Sequence, residues 1–217
     1  MKHTNSLESV LHAAGLLRSG TGRDIEILGL NNDSRTVSPG DLFICKGYGF
    51  KPEYLLKARE AGAVCYMAEE QQADCPLPSL IVSDVRKAQS LAAQWFYDRP
   101  SDAFTLVGIT GTKGKSSTAY YLKYILDEYL AEQGGPESGI ISSIDTYDGS
   151  ERFESHLTTP EPLDLERHFA NAVSSGLEYL TMEVSSQALK YDRMDGVDLS
   201  AAVFLNIGYD HISPIEH

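Results

Sequence analysis

The sequence predicts an α/β protein: a small N-terminal α/β domain followed by a P-loop-type parallel-sheet domain. Three observations carry this prediction. Short apolar runs alternate with helical patterns along the chain. The alternation restarts after Arg99-Pro100, a dipeptide that favours a hinge. The stretch GITGTKGKSS, Gly108 to Ser117, lies between an apolar run and a helical pattern, which is the setting of a phosphate-binding loop. The domains are accordingly placed at residues 1–100 and 101–217.

In the first domain, a helix is expected from Ser6 to Leu17 and a strand over DIEILGL, Asp24 to Leu30. The segment NNDSRTVSPGD is mainly turn chemistry. A strand, Leu42 to Lys46, leads through a Gly/Tyr turn into a helix near Pro52 to Ala61. Two further apolar runs, AVCYMAE and SLIVSD, precede a helix from Val85 to Tyr97. In the second domain, strands are expected at Ala103 to Thr110, Ser138 to Ile144, Leu177 to Val184 and Ser200 to Ile207. Helices are expected at Ser116 to Leu130 and from Pro160 to Ser175. Strands apolar on both faces belong to a mostly parallel sheet covered on both sides. The helix after the glycine-rich loop reads as amphipathic, with Ala119, Leu122, Ile125, Leu126 and Tyr129 on one side.

The 217-residue chain carries a net charge of −13. Such a surface repels nucleic acid and anionic lipid, so neither is expected as a partner. It also makes clustered lysines informative, because an anionic ligand needs local cations or backbone N–H groups. No apolar run is long enough to span a bilayer. The N-terminus reads as an amphipathic helix and not as a signal peptide. Cys45, Cys65 and Cys75 are odd in number and lack C-x-x-C spacing. They read as buried reduced thiols of a cytoplasmic protein.

The strict P-loop pattern, G-x-x-x-x-G-K-[ST], fails here by one position, because Ile109 stands where the first glycine belongs. The physics survives the mismatch. Gly111 and Gly114 permit positive φ and close backbone approach. Successive N–H groups can then form an anion nest at a helix N-terminus. Lys115 can reach terminal phosphates, and Ser116 can offer its hydroxyl to Mg²⁺. The competing reading is a plain glycine turn.

Ligands of an open parallel sheet sit beyond the carboxyl ends of its strands. Glu183 lies at such an exit, as a Mg²⁺ ligand or as an acidic residue favouring a helix N-terminus. Asn206 lies at the end of the last strand and His211 beyond it; a lone loop histidine more often binds nothing. Thr159 and Pro160 read as a helix cap and first helical residue, with Thr158 beside them. The same hydroxyls suit an anionic substrate. Arg193 lies eight residues beyond Ser185, so in a helix the two share a side. That arginine is a surface charge or a clamp for an anion. Ser34 and Arg35 are the candidates in the first domain.

GITGTKGKSS, TTP at Thr158 to Pro160, MEVSSQAL at Met182 to Leu189, LNIGYDH at Leu205 to His211 and DSRTVSPGDLF at Asp33 to Phe43 together resemble the Mur ligases. The shifted glycine is that family's own pattern. The match is nearest to members that add the third residue of the peptidoglycan stem peptide. The resemblance implies an ATP-dependent ligase that phosphorylates the D-glutamate carboxylate of UDP-MurNAc-L-Ala-D-Glu. A diamino acid then attacks the acyl phosphate. It implies that Gly111, Thr112, Lys113, Gly114, Lys115, Ser116, Ser117 and Asn206 hold ATP. Lys115 and Glu183 are implied as catalytic, and Ser116, Glu183 and His211 as Mg²⁺ ligands. Thr158, Thr159, Ser185 and Arg193 match muramyl-dipeptide contacts, and Ser34 matches a contact to the uridine nucleotide. A cytoplasmic monomer is implied.

The sequence also departs from the family. Tyr191 stands where a glutamine is common, and Gly49-Phe50-Lys51-Pro52 where D-G-H is common. The family's carbamylated lysine lies after the D-H motif, but the last lysine here is Lys190. An N-terminal fragment, with an incomplete central domain and no C-terminal domain, is therefore expected, and the isolated chain is expected to form no amide. The stretches ISSIDTYDG and DHISPIEH resemble lysine-adding enzymes more than those adding meso-diaminopimelate. The alternatives are another P-loop ATPase, which would use a Walker-B aspartate where Glu183 stands, and a non-catalytic nucleotide-sugar-binding module.

Overall fold

The structure, a computed structural model, describes residues 1–47 and 49–209. It divides into two compact units, one spanning Met1–Arg99 and one beginning at Pro100.

The first unit opens with strand β1 (Lys2–His3), helix α1 (Thr4–Ala13), and strands β2 (Leu17–Ser19), β3 (Glu26–Ile27), β4 (Gly29–Asn31) and β5 (Asp41–Ile44). Helix α2 (Pro52–Glu60), strands β6 (Cys65–Ala68) and β7 (Ser79–Val82), and helix α3 (Val85–Phe96) complete it. Its main sheet has the order β2-β7-β6-β5-β4. The last four strands run parallel, and β2 is antiparallel to β7. β1 and β3 form a separate antiparallel pair.

Two expected elements split here, for local reasons. The N-terminal helix stops at Ala13 because Gly15 turns at φ 70°, a left-handed value that suits glycine. Leu17 is thereby freed to join a sheet edge. The DIEILGL strand divides because the Leu28 N–H bonds to the Gly40 carbonyl, so its two halves pair in different sheets. The core packs Phe43, Cys45, Tyr66 and Ala68 against Leu55 and Ala58 of α2. All three cysteines are free and buried. Desolvation pushes the Cys45 and Cys65 thiols up to about 12, which makes them poor nucleophiles.

The second unit begins with a 3₁₀ turn at Pro100–Ala103. Strand β8 (Thr105–Thr110), helix α4 (Lys115–Glu132), and strands β9 (Gly139–Ile141), β10 (Asp145–Tyr147) and β11 (Arg152–Glu154) follow. Then come helix α5 (Pro162–Ser174), strand β12 (Tyr179–Glu183), helix α6 (Ser186–Lys190) and strand β13 (Ala201–Phe204). The sheet order is β11-β10-β9-β12-β8-β13. β9, β12, β8 and β13 are parallel, and β10 and β11 extend the sheet as an antiparallel hairpin. Side chains alternate between two cores, as strand geometry requires. Ile109 and Ile140 pack with Ala119 of α4, while Leu106, Ile141 and Met182 pack with Leu165 and Phe169 of α5.

Three expectations are corrected. Helix α4 buries Ala119, Lys123 and Leu130, while Ile125 and Tyr129 lie exposed. The apolar residues are spread around this helix, and the ion pairs of Lys123 with Asp127 and Glu137 select the inward face. Strand β13 is not covered on both sides, since Ala201, Ala202 and Phe204 are exposed. Among the described residues it pairs only with β8, at a sheet edge. Helix α5 starts at Pro162 behind Glu161, not at Pro160 behind Thr159. The Thr159 hydroxyl is committed elsewhere, as described below.

The turn between β10 and β11 is stapled to α5. Asp148 Oδ1 accepts from the Ser150 and Glu151 N–H groups, at 3.0 and 2.7 Å. Its Oδ2 accepts from His168 Nδ1 at 2.6 Å and Asn171 Nδ2 at 2.8 Å. Asp148, Glu151 and His168 lie within 4.8 Å of one another. Glu151 pairs with Arg167, however, and both Asp148 oxygens are spent on donors, so the group is structural. Burial raises the Asp148 carboxyl, but these donors outweigh it and hold it at about 2, below the ordinary 3.8. A lowered carboxyl stabilises the fold above its unfolded value, and that contribution disappears as pH falls through the folded one. Urea unfolding between pH 6 and 2 is expected to show about 2 kcal/mol of stability lost through this window. Asp148→Asn should remove that increment at neutral pH and flatten the acid limb by the same amount.

Candidate functional site

The tips of β8, β12 and β9 lie side by side because parallel pairing aligns their exits. The glycine-rich loop leaves β8. Gly111 has φ 144° and Gly114 φ 86°. A Cβ on Gly111 would sit 3.1 Å from the Asn206 backbone nitrogen, so a side chain there is both strained and crowded. Gly114 is the N-cap of α4, placing Lys115 and Ser116 in its first turn. Lys115 Nζ donates to the Gly111 carbonyl at 2.8 Å, folding across the loop.

Asn206 braces this loop from the exit of β13. Its Oδ1 accepts from the Lys113 N–H at 3.1 Å, and its Nδ2 donates to the Lys113 carbonyl at 3.0 Å. The Thr112 hydroxyl accepts from the Gly208 N–H at 2.8 Å. Asn206 therefore holds the loop's shape with both ends of its amide.

Glu183 ends β12 and is fully buried. Its Oε1 accepts from the Ser143 N–H at 2.9 Å and from the Ser143 hydroxyl at 3.2 Å. That hydroxyl also lies 3.1 Å from Ser116 Oγ. Glu183 Oε2 is buried with no partner among the described residues. A dry, unpaired carboxylate oxygen is costly unless a cation or proton meets it. Hydroxyl and carboxylate oxygens are the donor set that suits Mg²⁺, so these residues fit that ion.

Thr159 is also fully buried. Its hydroxyl donates to the Glu183 carbonyl at 2.8 Å and accepts from the Ser185 N–H at 3.0 Å. Ser185 caps α6 by accepting from the Ala188 N–H. Helix α6 stops at Lys190, so Arg193 does not share a helix face with Ser185. It folds back through a turn containing Asp192 at φ 56° and donates to the Thr159 carbonyl at 3.0 Å. Arg193 also pairs with Glu161 at 2.6 Å. A cavity of about 510 Å³ joins Gly111, Thr112 and Lys115 to Thr158, Ser185 and Arg193. Lys113 and Ser117 lie exposed at the loop. His211 lies outside the described residues.

Ser34 belongs to the first unit. It lines a cavity of about 520 Å³ with Arg35, Phe50, Tyr54 and Lys57. Arg35 grips the Asp33 carboxylate through Nε and Nη2, and this bond holds Asp33 at about 2.

Sequence reasoning passed over Ser143. It sat inside the apolar run SGIISSI and was absorbed into a strand that ends two residues earlier. The strand-exit rule that found Glu183 would have found it too.

The second unit is a P-loop-type α/β domain, with its phosphate-loop geometry and a buried carboxylate on the neighbouring strand exit. Residues 109–216 match the Mur ligase middle domain. A UDP-N-acetylmuramyl-tripeptide synthetase of Bifidobacterium longum is 47% identical over 196 residues, covering 89% of this chain and 37% of that protein. A UDP-N-acetylmuramoyl-L-alanyl-D-glutamate--L-lysine ligase of Streptococcus thermophilus is 45% identical over 189 residues, covering 87% and 38%. Among solved structures, a UDP-N-acetylmuramoyl-L-alanyl-D-glutamate--2,6-diaminopimelate ligase superposes with a TM-score of 0.67 at 21% identity, over 88% of this chain and 38% of that one. A MurF ligase from Thermotoga maritima, solved with ADP, gives 0.54 at 22% identity over 85% and 39%. The chain belongs to the Mur ligase family. It spans well under half the length of the relatives it matches.

Proposed function

We propose that this chain supplies the nucleotide-sugar and ATP-phosphate sites of an ATP-dependent ligase that adds a diamino acid to UDP-MurNAc-L-Ala-D-Glu. L-lysine is favoured over meso-diaminopimelate. The observation that carries this reading is the buried Glu183, its Oε2 unpartnered, linked through Ser143 to the Ser116 hydroxyl at the phosphate loop. The relatives' names support the reaction class.

In this reading, the N–H groups of the loop and Lys115 receive the triphosphate. The substrate carboxylate oxygen attacks the terminal phosphorus and ADP leaves, giving an acyl phosphate. The amine then attacks the acyl carbon, inorganic phosphate leaves, and the ammonium sheds its proton. The first step brings two anions together, so dense positive charge at the loop is what the chemistry needs. Mg²⁺, held by Ser116 and Glu183 and in the family also by the position of His211, would neutralise phosphate charge. Thr158, Ser185 and Arg193 line the cavity beside the loop and suit the muramyl dipeptide. Thr159 acts behind them, tying the Glu183 strand to the Arg193 turn. In the first unit, the cations and rings around Ser34 suit a uridine diphosphate. Among the described residues no helix is long and apolar enough to cross a membrane. A cytoplasmic monomer fits this reaction.

The test supplies ATP, Mg²⁺, UDP-MurNAc-L-Ala-D-Glu and either amine to the enzyme extended to its relatives' length. ADP release that requires both the muramyl substrate and the amine is expected, faster with L-lysine. ADP release indifferent to the muramyl substrate would instead mark a general P-loop ATPase.

A further inference from the structure

We propose that Ser143 is a positioning residue of the phosphate site, setting the Glu183 carboxylate against the Ser116 hydroxyl. This rests on the reading of that site as one for ATP and a divalent cation.

Three independent features point to Ser143. It contacts both partners. Its N–H and hydroxyl engage Glu183 Oε1, and its Oγ lies 3.1 Å from Ser116 Oγ. Those two residues come from different strand exits, and no other side chain among the described hydrogen bonds joins them. The turn that carries Ser143 is itself locked. Ser142 Oγ accepts from the Ile144 and Asp145 N–H groups, each at 3.1 Å, and donates to the Asp145 carbonyl at 2.9 Å. Tyr120 of α4 then bonds its hydroxyl to Asp145, fastening the turn to the helix that bears Ser116. Finally, the bonds are one-sided. Both fall on Glu183 Oε1, while Oε2 stays buried without a partner. One oxygen is pinned and the other is held free, which is the arrangement a supporting group gives a carboxylate that must meet a cation.

A structural role alone would be served by pairing both oxygens, as Asp148 is paired elsewhere in this unit. The exposure of Ser143 beside the buried Glu183 also fits a residue at the mouth of a site and not in a core.

The test uses the purified chain, Mn²⁺ as a paramagnetic probe, and a non-hydrolysable ATP analogue. Mn²⁺ affinity in the presence of nucleotide is read by electron paramagnetic resonance. Nucleotide affinity in EDTA is read by calorimetry. Ser143→Ala removes the hydroxyl and keeps the N–H. It is expected to weaken Mn²⁺ binding roughly tenfold to a hundredfold, the usual cost of losing a supporting group. Metal-free nucleotide affinity should not change, and Ser143→Thr should restore Mn²⁺ binding. Ser143→Gly repeats the deletion with a residue that tolerates any turn. Wild-type Mn²⁺ affinity in both deletions overturns the proposal. So does an equal loss with and without metal, which would mark a purely structural residue. If the wild-type chain binds nucleotide in neither condition, the ATP-site reading itself falls and takes this inference with it.

Discussion

Lys115→Ala is expected to lower the proposed ATP-dependent amide formation by about 10²–10³-fold in the enzyme extended to its relatives' length, the typical loss when one preorganised electrostatic contact to a transition state is removed. The physical basis is charge. The chain is strongly acidic, with a net charge of −13, so a triphosphate approaches it against repulsion. Lys115 stands in the first turn of α4, where the positive end of the helix already favours anions. Its Nζ rests on the Gly111 carbonyl at 2.8 Å and the Thr112 carbonyl at 3.4 Å. The ammonium is thus stored on the loop itself, and an arriving phosphate competes with two neutral carbonyls and not with a carboxylate. Loss of the side chain leaves those carbonyls open to water, so stability should change by no more than about 0.5 kcal/mol. Calorimetry with an ATP analogue should show the affinity loss while the thermal midpoint holds. Undiminished nucleotide binding would remove the loop from the mechanism.

The second large effect is expected at Glu183, and it has two opposite signs. Glu183→Gln should weaken metal-dependent nucleotide binding by at least roughly a hundredfold, the upper end of what loss of a mere supporting group costs. The same change should make the unliganded chain more stable. Oε2 is buried without a partner, and a desolvated charge there costs more than the neutral amide N–H₂ that would replace it. A neutral amide can keep the Ser143 N–H bond to Oε1 while removing the buried charge. The thermal midpoint should therefore rise by several degrees, since each kcal/mol is worth about 2–4 °C in a chain of this size. A site that holds strain for a ligand behaves in this way. Lower stability together with retained metal binding would mean that Glu183 is an ordinary structural acid.

Legibility along the chain followed the range of the interactions involved. The phosphate loop could be read directly, because two glycines, a lysine and a serine between an apolar run and a helix are a local pattern. The strand cores were likewise legible from runs of Leu, Ile and Val. Element ends were less so. The helix expected at Pro160 begins at Pro162, because Thr159 spends its hydroxyl on Glu183 and Ser185 and not on a helix cap. The α4 face was misread because a lysine, paired with Asp127 and Glu137, is buried where Ile125 was expected. Nothing local announces that Lys123 will find Glu137 fourteen residues away. Nothing local to Asn206 announces that its amide grips the loop backbone ninety-three residues upstream.

The sequence by itself determined the main parallel strands and the helices between them, though not the β10–β11 hairpin or the split of the N-terminal elements, together with where the backbone turns left-handed at Gly111 and Gly114 and which residues carry oxygen and charge at the strand ends. Only the tertiary structure decided how those residues divide the work. Ser116, Ser143 and Glu183 lie twenty-seven and forty residues apart along the chain. They meet because β8, β12 and β9 are neighbouring parallel strands of one sheet. That neighbourhood depends on non-local backbone pairing and two-sided burial, which no short window of residues encodes.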